Sequence, residues 1–488
     1  MGLSGTQIVT PPAAGTFTYV LTCDGALGSA AIVVTASVPA PTVSVTLSPA
    51  SGSVGQPFTL TWSTTNAASC TASGAWAGTQ SASGSVSVAQ ASVGTYTYSL
   101  TCTGAGGNAT AAAILTVTGQ TDNVVSVVID DGPAGANRTI NVPYVSVTVC
   151  RPGTSLCQTI DHVLVDTGSF GLRIIAPGVL DAALTLPAVT NAAGDPVGEC
   201  AQFVSGYTWG SVRRADVRIA GETALALPIQ VVADASAIYA RIPISCSRTG
   251  ANIGSVAALG ANGILGVGLF NFDCGSVCAN RVVSGTYYGC TETACTGTVL
   301  PVVSQVRNPV AAFATDNNGV ALILPAVPAD GATTLTGALV FGIGTQANNQ
   351  LGSATVYATD SRGNFSTTYK GRTFTSSFLD SGSNALFFTD PTIPLCPALS
   401  GFYCPAETLS LSAVNTSFNG VASGTVDFTV ENAQALASTV AAASVGVNAA
   451  GIGIPGFDFG LPFYFGRTVF VAISGASTPG GPGPYWAY

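Results

Sequence analysis

Along most of the chain, apolar residues alternate with small or polar ones. That two-residue period is the signature of a strand with one buried face. It runs through Val43, Val45 and Leu47, then Phe58, Leu60 and Trp62, then Tyr96, Tyr98, Leu100 and Cys102. It returns at Val145, Val147 and Val149 and again at Val426, Phe428 and Val430. Gly, Ser, Thr and Pro cut every run short. Helical periodicity is scarce, and only the Ala-rich stretch 434–450 predicts a short helix. The pattern predicts an all-β protein. No window reaches the roughly 18 consecutive apolar residues of a spanning helix, so no membrane span is expected.

An internal repeat organises the first quarter. Residues 15–23 read GTFTYVLTC and residues 94–102 read GTYTYSLTC, seven of nine positions being identical. Short strands with Gly/Ser/Pro turns over about 80 residues read as a β-sandwich. Cys70 and Cys102 are then expected as an inter-sheet disulfide, and Cys23 as the second cysteine of an earlier copy. The repeats resemble bacterial immunoglobulin-like domains of surface and secreted proteins, although Trp62 precedes Cys70 instead of lying between the two cysteines. The resulting map has the end of one such sandwich at 1–39, a complete one at 40–118 and a linker at 119–140. No catalysis is assigned to this part.

Composition narrows the chemistry of the rest. Charged residues make up only 8% of the 488, against about 25% in an ordinary soluble domain. The net charge is −9, and no Lys or Arg precedes Arg138, so the clustered positive charge that nucleic-acid binding needs is missing. One histidine, His162, removes multi-His metal sites, and no metal or cofactor is expected. Thirteen cysteines point to disulfides in an oxidising compartment. The close pairs are Cys150/Cys157, Cys274/Cys278, Cys290/Cys295 and Cys396/Cys404, and crossed pairing among the middle four is equally allowed. No signal peptide is visible after Met1.

Two segments share one pattern. Val163-Leu164-Val165-Asp166-Thr167-Gly168-Ser169 is matched by Ser377-Phe378-Leu379-Asp380-Ser381-Gly382-Ser383. Each has apolar strand residues, then Asp, a hydroxyl residue, Gly and Ser. A strand delivers the Asp into a tight turn, the Gly lets backbone approach the carboxylate, and hydroxyl and N–H groups bond to it. Two such turns facing each other place two carboxyls side by side. They share a proton, so one acts as base on a water while the other polarises a carbonyl.

At these residues the chain resembles the pepsin-like aspartic proteases. Asn262–Gly268 (NGILGVG) is similar to the apolar-apolar-Gly segment after the first catalytic turn of that family. Gly460-Leu461-Pro462-Phe463, running into Arg467-Thr468-Val469-Phe470, is similar to its counterpart in the second lobe. Leu339–Gly344 resembles the strand that opens the second half. The form DTGSFGLR at 166–173 is similar to one carried by a bacterial family of unknown function. The resemblance implies an all-β, bilobal, monomeric protease domain, with lobes at 141–314 and 315–475 and a flexible tail at 476–488. It implies Asp166 and Asp380 as the dyad, Thr167 and Ser381 tying the loops together, Ser169 and Ser383 on the outer carboxylate oxygens, and Gly168 and Gly382 supplying N–H groups. It implies Tyr207 as the tyrosine of a flap hairpin, with Phe203 and Trp209 behind it, and Cys200 with Cys246 at the hairpin base.

Two functional classes follow. The first is a secreted or cell-surface aspartic endopeptidase acting on polypeptides, with cleavage of its own linker as a variant. The second is a non-catalytic pepsin-fold protein used for binding or adhesion at the bacterial surface. His162, four residues before Asp166, is read as structural.

Overall fold

The computed structural model describes residues 5–10, 15–22, 29–53, 57–90, 92–118, 123–328, 330–439, 441–446, 448–450 and 455–488. The chain divides into two units, residues 1–121 and 122–488. Strands make up most of the regular structure of both, and the second also carries short helices. Among the described residues no helix is long and apolar enough to cross a membrane.

In the first unit, Thr42–Ser48, Phe58–Thr65 and Ser83–Val88 form a three-stranded sheet. A five-stranded sheet runs in the order Ser51–Ser53, Gly107–Thr118, Gly94–Gly104, Ser69–Gly74, Gly78–Gln80. The alternating residues turn inward from both sheets: Val45, Phe58, Leu60 and Trp62 from one share a core with Tyr98, Leu100, Cys102 and Leu115 from the other. The earlier repeat copy, Gly15–Thr22, pairs antiparallel with Ser29–Ala36, as Gly94–Gly104 does with Gly107–Thr118. Cys23 lies outside the described residues. Cys70 and Cys102 are bonded, but within one sheet and not between sheets. Ser69–Gly74 lies beside Gly94–Gly104, and the register puts the two cysteines directly opposite.

The second unit holds a fifteen-stranded and a seven-stranded sheet, with a continuous core of Val, Ile, Leu and Phe side chains. Two expectations about its ends are corrected. The stretch assigned to a linker at 119–140 contains the strand Val124–Ile129, paired along its whole length with Leu335–Phe341. Val125, Val127 and Ile129 are buried there, so alternation, not polarity, decides its place. The tail assigned as flexible at 476–488 ends in the strand Tyr485–Ala487, held between Thr468–Ala472 and Val356–Ala358. Burial of Tyr485, Trp486 and Ala487 outweighs the Pro/Gly content before them. The Ala-rich region forms one short helix, Ala433–Ala437.

Five disulfides lie in this unit: Cys150–Cys157, Cys200–Cys246, Cys274–Cys278, Cys290–Cys295 and Cys396–Cys404. The crossed alternative is therefore not the one formed. His162 takes a left-handed conformation (φ 47°) where the pairing of its strand shifts register. There it lies against Asp130 and Tyr144.

Candidate active site

The two Asp-containing turns are built alike. The strand Cys157–Asp166 runs parallel to Gly263–Val267, which pairs antiparallel with Phe170–Ile175 on its other side. In the second half Arg372–Leu379 runs parallel to Asp458–Phe459, which pairs antiparallel with Leu386–Phe388. Each Asp sits where its strand reaches a turn, Asp166 after the buried Val163-Leu164-Val165 and Asp380 after the buried Leu379. Gly168 N–H donates to Asp166 Oδ1 and Gly382 N–H to Asp380 Oδ1, both at 2.8 Å. Ser169 Oγ donates to Asp166 Oδ2 at 2.5 Å, and Ser383 Oγ lies 3.1 Å from Asp380 Oδ2.

The two turns meet. Thr167 N–H donates to Ser381 Oγ at 3.1 Å, and Ser381 N–H donates to Thr167 Oγ1 at 2.9 Å. Ser381 Oγ donates onward to the Val165 carbonyl at 2.7 Å. This buried reciprocal pair fixes the carboxyls relative to each other. A methyl added at Gly168 would sit 2.6 Å from Asp380 Cγ, and one at Gly382 would sit 2.7 Å from Asp166 Oδ1. Both positions therefore require glycine for the close approach. The Asp380 carboxyl hydrogen-bonds that of Asp166, and its pKa is raised well above the usual carboxylate range. Burial is the main cause, followed by the charges of Asp166 and Asp458.

Asp458 escaped the sequence reading. It is 3% exposed, and its Oδ2 lies 2.6 Å from Ser383 Oγ, so that one hydroxyl bridges Asp458 and Asp380. Its carboxyl is pushed up to about 7, chiefly by burial, with the Asp166 charge adding to it and the Ser383 hydrogen bond opposing it. In the matching place of the first half, one residue before the strand position that faces Val165, stands apolar Ile264. The available signal was an acid inside an otherwise apolar run, Phe457-Asp458-Phe459. Tyr464, also missed, sets its hydroxyl 2.8 Å from Thr167 Oγ1.

The hairpin of Val197–Phe203 and Gly206–Ile219 carries the expected aromatic residues, but on two faces. Tyr207 and Trp209 pack with Cys200, Cys246, Tyr239 and Tyr288, and Trp209 Nε1 donates to the Tyr239 carbonyl. Neither lines the pocket beside the first turn. Phe203 does, together with Glu199, Cys200, Ala201 and Gln202. The assignment of Tyr207 as the flap tyrosine is thus corrected: its ring is buried with Cys246, Tyr239 and Tyr288 and does not line the pocket. The same pocket exposes a second buried polar group that the sequence did not reveal, Arg173 with Glu199 and Asp273. Arg213, on the same hairpin, pairs with Asp234 at 2.7 Å.

Among solved structures, the chain is similar to an aspartic proteinase from Irpex lacteus. The identity is 18% and the TM-score 0.44, over 75% of this chain and 96% of that one. No curated protein matches the chain. Residues 119–488, which hold both Asp-containing turns, match a family described as "Protein of unknown function (DUF3443)", and the chain belongs to that family.

Proposed function

We propose that the second unit is an aspartic endopeptidase. The observation that carries this reading is the pair of Asp-hydroxyl-Gly-Ser turns, cross-bonded through Thr167 and Ser381, with the Asp166 and Asp380 carboxyls in hydrogen-bond contact. Two carboxyls so close cannot both ionise easily, and they hold one proton between them. The ionised member takes a proton from a water as it attacks the peptide carbonyl. The protonated member donates to the carbonyl oxygen, and the dyad then returns a proton to the leaving amine. The N–H groups of Gly168 and Gly382 keep the inner oxygens fixed, and Ser169 does the same for the outer oxygen of Asp166. Nothing has to reorganise as charge develops.

The first unit is read as an immunoglobulin-like spacer or binding module, on the strength of its repeat and its two sheets around one core. Six disulfides suit a protein that folds in an oxidising, extracellular setting. The test is cleavage of a peptide library from about pH 2 to about 8, with a statine-type transition-state analogue as control. Cleavage that the analogue blocks and that Asp380→Asn abolishes is expected. A folded wild-type protein that cuts nothing would reject the reading in favour of a binding role for the same cleft.

A further inference from the structure

The pocket beside the first Asp-containing turn has a polar floor that the dyad does not use. Its volume is about 240 Å³, room for one long side chain. Ser169 forms part of its wall and also donates to Asp166, so an occupant belongs to a substrate residue adjoining the bond that is cut. The floor sets one guanidinium against two carboxyls. Arg173 is 3% exposed and Glu199 is 0% exposed. Arg173 donates to Glu199 Oε1 at 2.9 Å and to the Phe170 carbonyl at 2.7 Å, and its buried Nε has no partner. Asp273 Oδ2 is 3.6 Å away, too far for a hydrogen bond to the guanidinium.

The excess at this site is therefore acidic. Glu199 Oε2 is buried and receives no hydrogen from any amide, hydroxyl or cationic group of the protein. The hydrogen bond between the Glu199 and Asp273 carboxyls requires a proton on one of them, and Asp273 is held protonated well above the usual carboxylate range by burial and then by Glu199. Tyr287 donates to both Asp273 oxygens, at 2.6 and 2.7 Å, and aims that carboxyl. Asp273 is the most exposed of the three charged groups, at 11% of its side chain.

We propose that this pocket is the subsite for a lysine or arginine side chain of the substrate, recognised by Asp273 and Glu199. The proposal rests on the proteolytic reading for its place beside the scissile bond, but not for its charge preference. An entering ammonium or guanidinium group takes the place of the proton shared by the two carboxyls, which leaves to solvent. Two cations then face two carboxylates. An acidic side chain would add a third carboxyl to a floor with a single cation, and an apolar one would bring no charge to the two carboxyls, which keep their shared proton. Phe203, whose ring centroid lies 5.8 Å from the Arg173 guanidinium, covers the alkyl stem of the occupant. The net charge of −9 favours encounter with basic peptides.

The test uses the full chain and paired peptides that differ only in lysine against norleucine beside the cleaved bond. The kcat/KM ratio should favour lysine by about ten- to a hundredfold, and Asp273→Asn should collapse that ratio. Asn keeps the shape and accepts the Tyr287 hydrogen bond, and near-UV circular dichroism checks that the variant is folded. Cleavage without a preference for lysine, or a ratio that survives in a folded Asp273→Asn, overturns the proposal and leaves the protease reading intact. Equilibrium binding of the same two peptides to Asp380→Asn separates the two readings. Equal affinities overturn the subsite. Tighter lysine binding by a chain whose wild type cuts nothing supports the subsite and overturns the protease.

Discussion

Asp458→Asn isolates the third carboxyl. The substitution keeps the side-chain shape and leaves an oxygen for Ser383 to bond, but it removes the titrating group. In the unfolded chain Asp458 titrates near its usual 3.8, whereas burial in the fold pushes it up to about 7. The folded state therefore binds this proton more tightly than the unfolded one, and stability falls as pH rises. The contribution is fully present below about 3.8 and is lost by the time the pH has passed about 7. At about 1.4 kcal/mol for each tenfold change in proton affinity, the whole loss is about 4 kcal/mol. Asp380, raised in part by Asp458, titrates in the same direction and steepens the slope. The assay is urea denaturation of the full chain at a series of pH values. Hydrogen exchange in the strands Cys157–Asp166 and Arg372–Leu379 reports the second unit alone. The wild type should lose stability across this window, and Asp458→Asn should lose much less. Where cleavage is measured, the alkaline limb of the pH profile should move to lower pH in the variant, because one negative charge beside Asp380 is gone. A variant whose urea midpoints track the wild type at every pH would refute the reasoning.

Ser381→Ala strips partners from two buried groups, Thr167 N–H and the Val165 carbonyl, and should destabilise the second unit by about 2 to 5 kcal/mol in chemical denaturation. Replacing Cys70 and Cys102 with Ala opens a loop with a sequence separation of 32 and should cost the first unit about 4 kcal/mol. Calorimetry should show that loss in one transition and leave the other in place. Phe203→Ala should raise KM for peptides, whereas Tyr207→Phe should leave kcat/KM within about twofold, since only Phe203 lines the pocket. The reverse result would restore Tyr207 as the substrate-facing residue.

The corrections share a cause. The apolar runs Val124–Ile129 and Tyr485–Ala487 suit buried strands, yet a sequence does not name the partner strand. Leu335–Phe341 and Val356–Ala358 are far along the chain. Polar or Pro/Gly-rich surroundings then make such segments read as linker and tail. For the hairpin, the residue types were legible but their direction was not. Phe203 and Tyr207 both stand beside its tip, and a period of two says only that alternate residues face opposite sides. Which side meets the cleft is decided by the Cys200–Cys246 disulfide and the packing around Tyr239 and Tyr288. Cys70 and Cys102 were legible as a pair, but whether their bond crosses between sheets depends on which strands are neighbours.

By itself the sequence determined what is local: the strand period, the turns after Asp166 and Asp380, and the small hydroxyl residues that fill each turn. These follow from backbone geometry and hydrogen bonding within a few residues. The tertiary structure alone decided what depends on chain crossings. It brought Asp458 to Ser383 from 75 residues away, and Glu199 and Asp273 to one guanidinium. A carboxyl's chemistry depends on the charges and solvent within a few ångströms of it, and those neighbours are supplied by topology, not by adjacency along the chain.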